Sequence, residues 1–134
     1  FMGLVGSEMC IRDSSKATNI DSSIPALKSF KNIHWICGGI PKSHDMKLAL
    51  PYLKNVKKIY VIGLEKDIFF AAFARYIEVV YLRDMKKAVQ SAFSNSKKEK
   101  KISTVLLSPA AASFDQYRNF ETRGNAFKKC IMNL

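Results

Sequence analysis

Four compact apolar runs stand out along the chain, separated by stretches in which apolar residues recur every three or four positions. Ile33 to Cys37, Lys58 to Ile62, Glu78 to Leu82 and Ile102 to Leu107 are rich in β-branched and aromatic residues. Runs of that length, bounded by turn or charged residues, predict strands. The intervening stretches read as helices. Met85, Ala88, Val89, Ala92 and Phe93 fall at i, i+3, i+4, i+7 and i+8, the clearest amphipathic stripe in the chain. Glu65 to Arg75, with Ile68, Phe69, Phe70 and Phe73, reads as a well-buried helix. Asp21 or Ser22 can cap a helix running to about Lys31, with Pro25 in its first turn. Asp45 caps another through Leu53, disturbed at Pro51 because proline lacks an N–H. A last helix is expected near Gly124–Met132. Strands that alternate with helices define an α/β fold with a largely parallel sheet covered by helices on both faces.

Composition narrows this further. A chain of 134 residues, 48% hydrophobic and 25% charged, has the make-up of one ordinary globular domain. No apolar run approaches a membrane span, so no membrane partner is expected. The apolar start lacks the basic flank of a signal peptide. Cys10, Cys37 and Cys130 are odd in number and far apart, which argues against a disulfide framework or zinc site and fits a reducing cytoplasm. The net charge of +11 raises the question of nucleic acid. The lysines cluster at Lys57-Lys58, Lys86-Lys87 and Lys97 to Lys101, and the last cluster has no interleaved aromatics to stack on bases. The last cluster, in SNSKKEKK, reads as a solvated linker. No specific nucleic-acid partner is expected, and the reading from charge alone is a basic α/β binding module without catalysis.

The chemistry concentrates in one stretch, SPAAASFDQYRNFETRG, Ser108 to Gly124. It leaves a strand, passes Pro109 and three alanines, and can open a helix at Ser113, with Gln116 in capping-box spacing. Phe114, Tyr117 and Phe120 recur at helical spacing, and Arg118 and Arg123 bring fixed cations. Strand ends that open into helix N-termini are where open α/β sheets bind ligands, anions in particular. A second candidate is Gly38-Gly39-Ile40-Pro41-Lys42, which would put Lys42 at the same edge of the sheet. A third is SKATN, Ser15 to Asn19. Neither G-x-x-x-x-G-K-[ST] nor G-x-G-x-x-G occurs. Ser113 lacks the G-x-S-x-G elbow of a hydrolase nucleophile. His34 inside a strand reads as a packed or edge residue rather than a base, and His44 is isolated. No metal constellation is visible.

SKATN, GGIPK and SPAAASFDQYRNFETRG together resemble the Mur ligases of peptidoglycan synthesis, in the family's order and at compatible separations, over about Ser15 to Met132. The resemblance lies with the branch that adds D-glutamate. It implies a single Rossmann-like domain over residues 15–134, the C-terminal, acceptor-binding domain of a longer chain. Thr18, Lys42, Ser113, Phe114 and Phe120 would bind D-glutamate, and Lys16 would lie near the nucleotide. The family usually has an Asp two residues before this lysine. Here that position is Ser14, and the acidic contact is not carried over to Asp13. The resemblance further implies ATP and Mg2+, bound mainly by domains absent here, and UDP-N-acetylmuramoyl-L-alanine as the other substrate. A cytoplasmic monomer is implied, inactive as an isolated piece. A related Mur ligase or a folylpolyglutamate synthase with another acceptor is the enzymatic alternative. Residues 1–14, FMGLVGSEMCIRDS, match nothing in the family at this place and resemble translated adapter sequence. They are expected to be poorly tied down.

Overall fold

In the computed structural model, residues 2–4, 9–13, 20–39, 46–99, 102–108 and 120–133 are described. Six strands form one sheet: β1 (Met2–Leu4), β2 (Met9–Asp13), β3 (Ile33–Gly38), β4 (Val56–Ile62), β5 (Val79–Arg83) and β6 (Ser103–Leu107). Their spatial order is β1-β2-β6-β3-β4-β5. All neighbours from β2 to β5 are parallel, and β1 alone runs antiparallel, to β2. The helices are α1 (Ile20–Ser29), α2 (Asp67–Phe73), α3 (Met85–Lys97) and α4 (Phe120–Met132), with a 3₁₀ helix over Met46–Asn55.

Central strands buried on both faces read as unbroken apolar runs. Every residue of β3 and of β6 is buried. Side chains alternate across the sheet, and two cores result. Ile33, Trp35, Cys37, Ile59, Val61 and Leu106 face α1, the 3₁₀ helix and α2. Ile36, Tyr60, Ile62, Val105 and Leu107 face the opposite side, under α3 and Phe127 of α4. The topology explains the division. From β2 through β3 and β4 to β5 the chain steps one way across the sheet, and then β6 returns to lie between β2 and β3. Parallel crossovers are right-handed almost without exception, so a reversal of direction moves the connecting helix to the other face.

Local chemistry shapes the elements. Asp84 caps α3 by accepting from the Lys87 N–H at 2.8 Å, and Met85, Ala88, Val89 and Ala92 are buried as their spacing predicts. That helix extends to Lys97, into the stretch expected to be linker. The helix expected from Asp45 is instead 3₁₀ over ten residues and contains Pro51. Such length is uncommon for 3₁₀ geometry; Pro51 removes an N–H and crowds the preceding turn. Met46, Ala49 and Leu53 still reach the core from it.

The N-terminal run differs from expectation. Residues Met9–Asp13 form a parallel strand whose five residues register with Ser103–Leu107 of β6. Residues Met2–Leu4 pair with it in turn. Removing residues 1–13 would open the edge of β6, leaving unpaired ladder groups along a buried strand. With each lost backbone bond worth about 0.5–1.5 kcal/mol net, we expect truncation to cost at least about 2 kcal/mol. Urea unfolding of the truncated and whole chains measures this. Superimposable transitions would show that the two strands add nothing.

At the amino end of the sheet lies a buried polar network. His34 is 1% exposed. Its Nε2 lies 2.7 Å from a Glu99 carboxylate oxygen, and its Nδ1 lies 2.8 Å from the Tyr60 hydroxyl. Glu99 also accepts from Ser103 Oγ at 2.8 Å, and Tyr60 accepts from Asn95 Nδ2 at 3.0 Å. A neutral His34 carrying its proton on Nε2 satisfies every member: it donates to Glu99 and accepts from Tyr60. Burial is the main cause that pulls the His34 pKa below its ordinary 6.5, aided by Lys58 and Lys57 and opposed by Glu99. The short contact to Glu99 alone would favour imidazolium, but desolvation of the ring outweighs it. Burial likewise pushes the Tyr60 hydroxyl up to about 12. Below pH 6.5 the unfolded His34 takes up a proton that the folded one refuses, so this contribution to stability is present above 6.5 and is lost as pH falls through the folded value. We expect the melting temperature of the chain to fall more between about pH 7 and pH 5 than that of His34→Gln. Equal slopes would show that His34 does not titrate differently in the two states.

Candidate functional site

The carboxyl edge of the sheet is built around two strand ends. β6 finishes at Leu107, and Ser108 is held from three directions. Its N–H donates to the Ile36 carbonyl at 3.1 Å, and its hydroxyl donates to Ser23 Oγ of α1 at 2.8 Å. Its carbonyl accepts from Trp35 Nε1 at 2.7 Å. Ser108 and Ser23 are both fully buried. The neighbouring strand, β3, ends at Gly38 with φ of 141°, followed by Gly39 at 125°. Both lie in backbone territory that side chains rarely adopt. From α4, Arg123 donates to the Gly38 carbonyl at 3.3 Å, and this guanidinium is 1% exposed.

These ends meet at a switch point. The connection after β3 goes to the face of α1 and the 3₁₀ helix, while the helix after β6, α4, packs on the opposite face. Adjacent parallel strands whose connections diverge leave a crevice at their carboxyl ends, the usual ligand site of such sheets. β2 lies on the far side of β6 and runs in the same direction.

The predicted residues stand as follows. Lys16 and Thr18 fall between Asp13 of β2 and Ile20 of α1, outside the described residues. Lys42 falls between Gly39 and Met46, likewise outside. Ser113 and Phe114 fall between Ser108 and Phe120, also outside. Phe120 opens α4, but its side chain is not described. What the structure brings together is the set of strand ends from which all three segments depart: β2, β6 and β3 are consecutive in the sheet and parallel.

Sequence reading named Arg123 only as a fixed cation and did not put it in the site. A signal was present: with Phe120 and Phe127 it lies on one face of a helix, where the period calls for an apolar residue. Ser108, Ser23 and Trp35 carry no such mark, because their partners are 73 and 85 residues away. Cys37 is not a candidate nucleophile, since complete burial pushes its thiol far up. Cys130 is raised too, chiefly by burial. Among the described residues, no group of three or more His, Cys, Asp or Glu side chains could hold a metal ion. No helix among them is long and apolar enough to cross a membrane.

A largely parallel α/β sheet covered by helices on both faces, with its strand order reversing at β6, defines a Rossmann-like domain. Comparison with known proteins is more particular. The chain is similar to the UDP-N-acetylmuramoylalanine--D-glutamate ligase of Rhizobium etli, at 41% identity over 134 residues, 99% of this chain and 28% of that one. It is also similar to the ligase of the same name from Wolbachia, at 38% identity over 99% of this chain and 26% of the other. The one from Rickettsia conorii is 35% identical over 87% of this chain and 24% of its own. No protein-family model matches the chain. The resemblance to Mur ligases read from three motifs is thus shown: the chain is homologous to part of these D-glutamate ligases. It spans about a quarter of the length of the curated relatives it matches. The aligned stretches that cover 99% of the chain take in nearly all of the first fourteen residues.

Proposed function

We propose that the chain is the C-terminal, acceptor-binding domain of an ATP-dependent ligase that joins D-glutamate to UDP-N-acetylmuramoyl-L-alanine. The observation that carries this is topological. The three segments holding the motif residues follow in sequence the carboxyl ends of β2, β6 and β3, which are neighbours in the sheet, and strand ends at such a switch point are the usual ligand site of doubly wound sheets. In that edge Lys42 neutralises a carboxylate of D-glutamate, Ser113 and Thr18 donate hydroxyl hydrogen bonds to it with the backbone N–H groups of Ser113 and Phe114 nearby, and Phe120 closes the pocket. Such groups act by positioning and charge neutralisation. They hold the amino acid so that its neutral amine faces an activated carboxyl carbon. The new C–N bond then forms as phosphate leaves with the C–O electron pair and the amine gives up a proton.

By the resemblance, magnesium and most of the nucleotide contacts fall to the remainder of the ligase, with Lys16 as the nucleotide-proximal residue of this stretch. The enzyme is assigned to the cytoplasm, where its nucleotide substrates are found, and acts as a monomer.

The test is a full-length ligase carrying this stretch, supplied with ATP, Mg2+ and UDP-N-acetylmuramoyl-L-alanine. Amide formation is expected with D-glutamate and not with L-glutamate or D-alanine. Phosphate release that depends on another amino acid instead would move the chain to a ligase with a different acceptor. Lack of any ATP-dependent amide formation would return it to the class of non-catalytic binding modules.

A further inference from the structure

We infer that Arg123 is a positioning residue of the acceptor pocket, locking the end of β3 to α4 across the switch point. The inference rests on the reading of this edge as the D-glutamate site. It starts from the ladder between β3 and β6. The Asn32 carbonyl accepts from the Thr104 N–H at 3.2 Å, and four residues on the Ile36 carbonyl accepts from the Ser108 N–H at 3.1 Å. Carbonyls two residues apart on a strand point to the same side. The Gly38 carbonyl, two residues past Ile36, therefore also points toward β6. β6 ends at Leu107, so the regular ladder stops short of this carbonyl, whose place in the register falls opposite residue 110, outside the described residues. A buried carbonyl at that place needs a donor.

Arg123 is such a donor. Its Nη1 reaches the Gly38 carbonyl at 3.3 Å from the opposite layer of the fold. Burying a guanidinium almost completely is costly unless its fork is used, so the placement is unlike that of an ordinary helix cation. The consequence is geometric. Gly38 is the last residue of β3, and the segment that carries Lys42 begins there. Phe120, which opens α4, lies three residues before Arg123. One side chain thus ties the start of the lysine segment to the first turn of the helix that bears Phe120. Arg123 itself is too buried to touch a solute in the crevice. It acts through the Gly38 carbonyl, by fixing where the two halves of the pocket stand relative to each other.

Two substitutions in the full-length ligase test this. Arg123→Met keeps the volume of the stem and removes every donor. Arg123→Lys keeps the charge but not the fork. For both, KM is measured separately for D-glutamate, ATP and UDP-N-acetylmuramoyl-L-alanine, beside a thermal melt. We expect Arg123→Met to raise KM for D-glutamate by about tenfold or more while the other two KM values stay within about twofold, and Arg123→Lys to show the same split to a smaller degree. A folded Arg123→Met enzyme with unchanged KM for D-glutamate overturns the inference, and so does an equal rise in all three. Should Arg123→Met not fold, Arg123→Lys decides by the same split. If neither folds, Arg123 is a core residue and the positioning role is wrong. Wild-type enzyme measured alongside separates the two levels. Its failure to use D-glutamate would overturn the proposed function, whereas a working wild type with insensitive variants overturns only the role of Arg123.

Discussion

Gly38→Ala is expected to lower the melting temperature of the chain by about 10 °C or more. A β-carbon on Gly38 would lie 2.0 Å from the carbonyl oxygen of Ile62, 2.8 Å from its carbonyl carbon and 2.9 Å from its nitrogen. All three are backbone atoms of β4, the strand paired with β3 at that residue. No rotamer change can relieve such a contact; only separation of β3 from β4 can, and both are buried in the centre of the sheet. The backbone adds a second penalty. With φ at 141°, Gly38 sits where an L-residue is strained, at a cost of about 1–3 kcal/mol. Overpacking in a well-filled core costs about as much again. Together these come to roughly 2–6 kcal/mol, a large share of the 5–15 kcal/mol by which a typical domain is stable. Differential scanning calorimetry of the substituted chain is the measurement. A melting temperature within about 3 °C of the parent would mean that β3 and β4 do not approach as closely as described.

The same glycine shows what could be read from sequence and what could not. Gly38-Gly39 was legible as the point where a strand stops, because glycine pairs punctuate such runs. That Gly38 is also a contact point between two strands depends on Ile62, 24 positions along, and no local pattern encodes it. β3, β6 and the carboxyl half of β4 were legible because burial on both faces leaves an unbroken apolar run. The stripe of α3 was legible because it has one wet face and one dry one. β2 was not: Met9–Asp13 becomes a strand by lying against β6, and its own residues alternate too briefly to say so. The segment ending α3 looked like solvated linker from its lysines, yet Glu99 within it accepts from His34, 65 residues away. The start of α4 was misjudged as well. A helix was expected near Gly124, whereas the described helix begins at Phe120 and encloses a buried Gly124; the helix start expected at Ser113 lies outside the described residues. As for the site, motif order suggested one pocket from three distant stretches. The adjacency of β2, β6 and β3 gives that suggestion a spatial basis, since the return of β6 between the other two gathers their carboxyl ends.

Lys42→Ala should leave the fold intact and cripple the use of D-glutamate. The motivating observation is the position of Lys42 in the sequence, four residues after the end of β3, the strand that pairs with β6. A carboxylate held there by an ammonium gains a charge-assisted hydrogen bond, stronger than one between neutral groups. Removing the lysine leaves the substrate's carboxylate unpaired in a partly desolvated cleft, which costs roughly 2–5 kcal/mol. At the low end of that range kcat/KM for D-glutamate falls about thirtyfold. The effect should differ in kind from those of the two other residues at this edge. Gly38→Ala acts on stability first, and Arg123→Met acts on KM through geometry. Lys42→Ala removes the charge itself, so an amino acid lacking a side-chain carboxylate should be used no worse by the variant than by the parent if Lys42 serves that group. The readout is amide formation by the full-length ligase against D-glutamate concentration, with a thermal melt to establish folding and ATP titrated separately. The nucleotide KM should hold, because the phosphates are gripped mainly outside this stretch. Undiminished kcat/KM for D-glutamate in a well-folded Lys42→Ala enzyme would remove Lys42 from the pocket and leave it a solvated loop lysine.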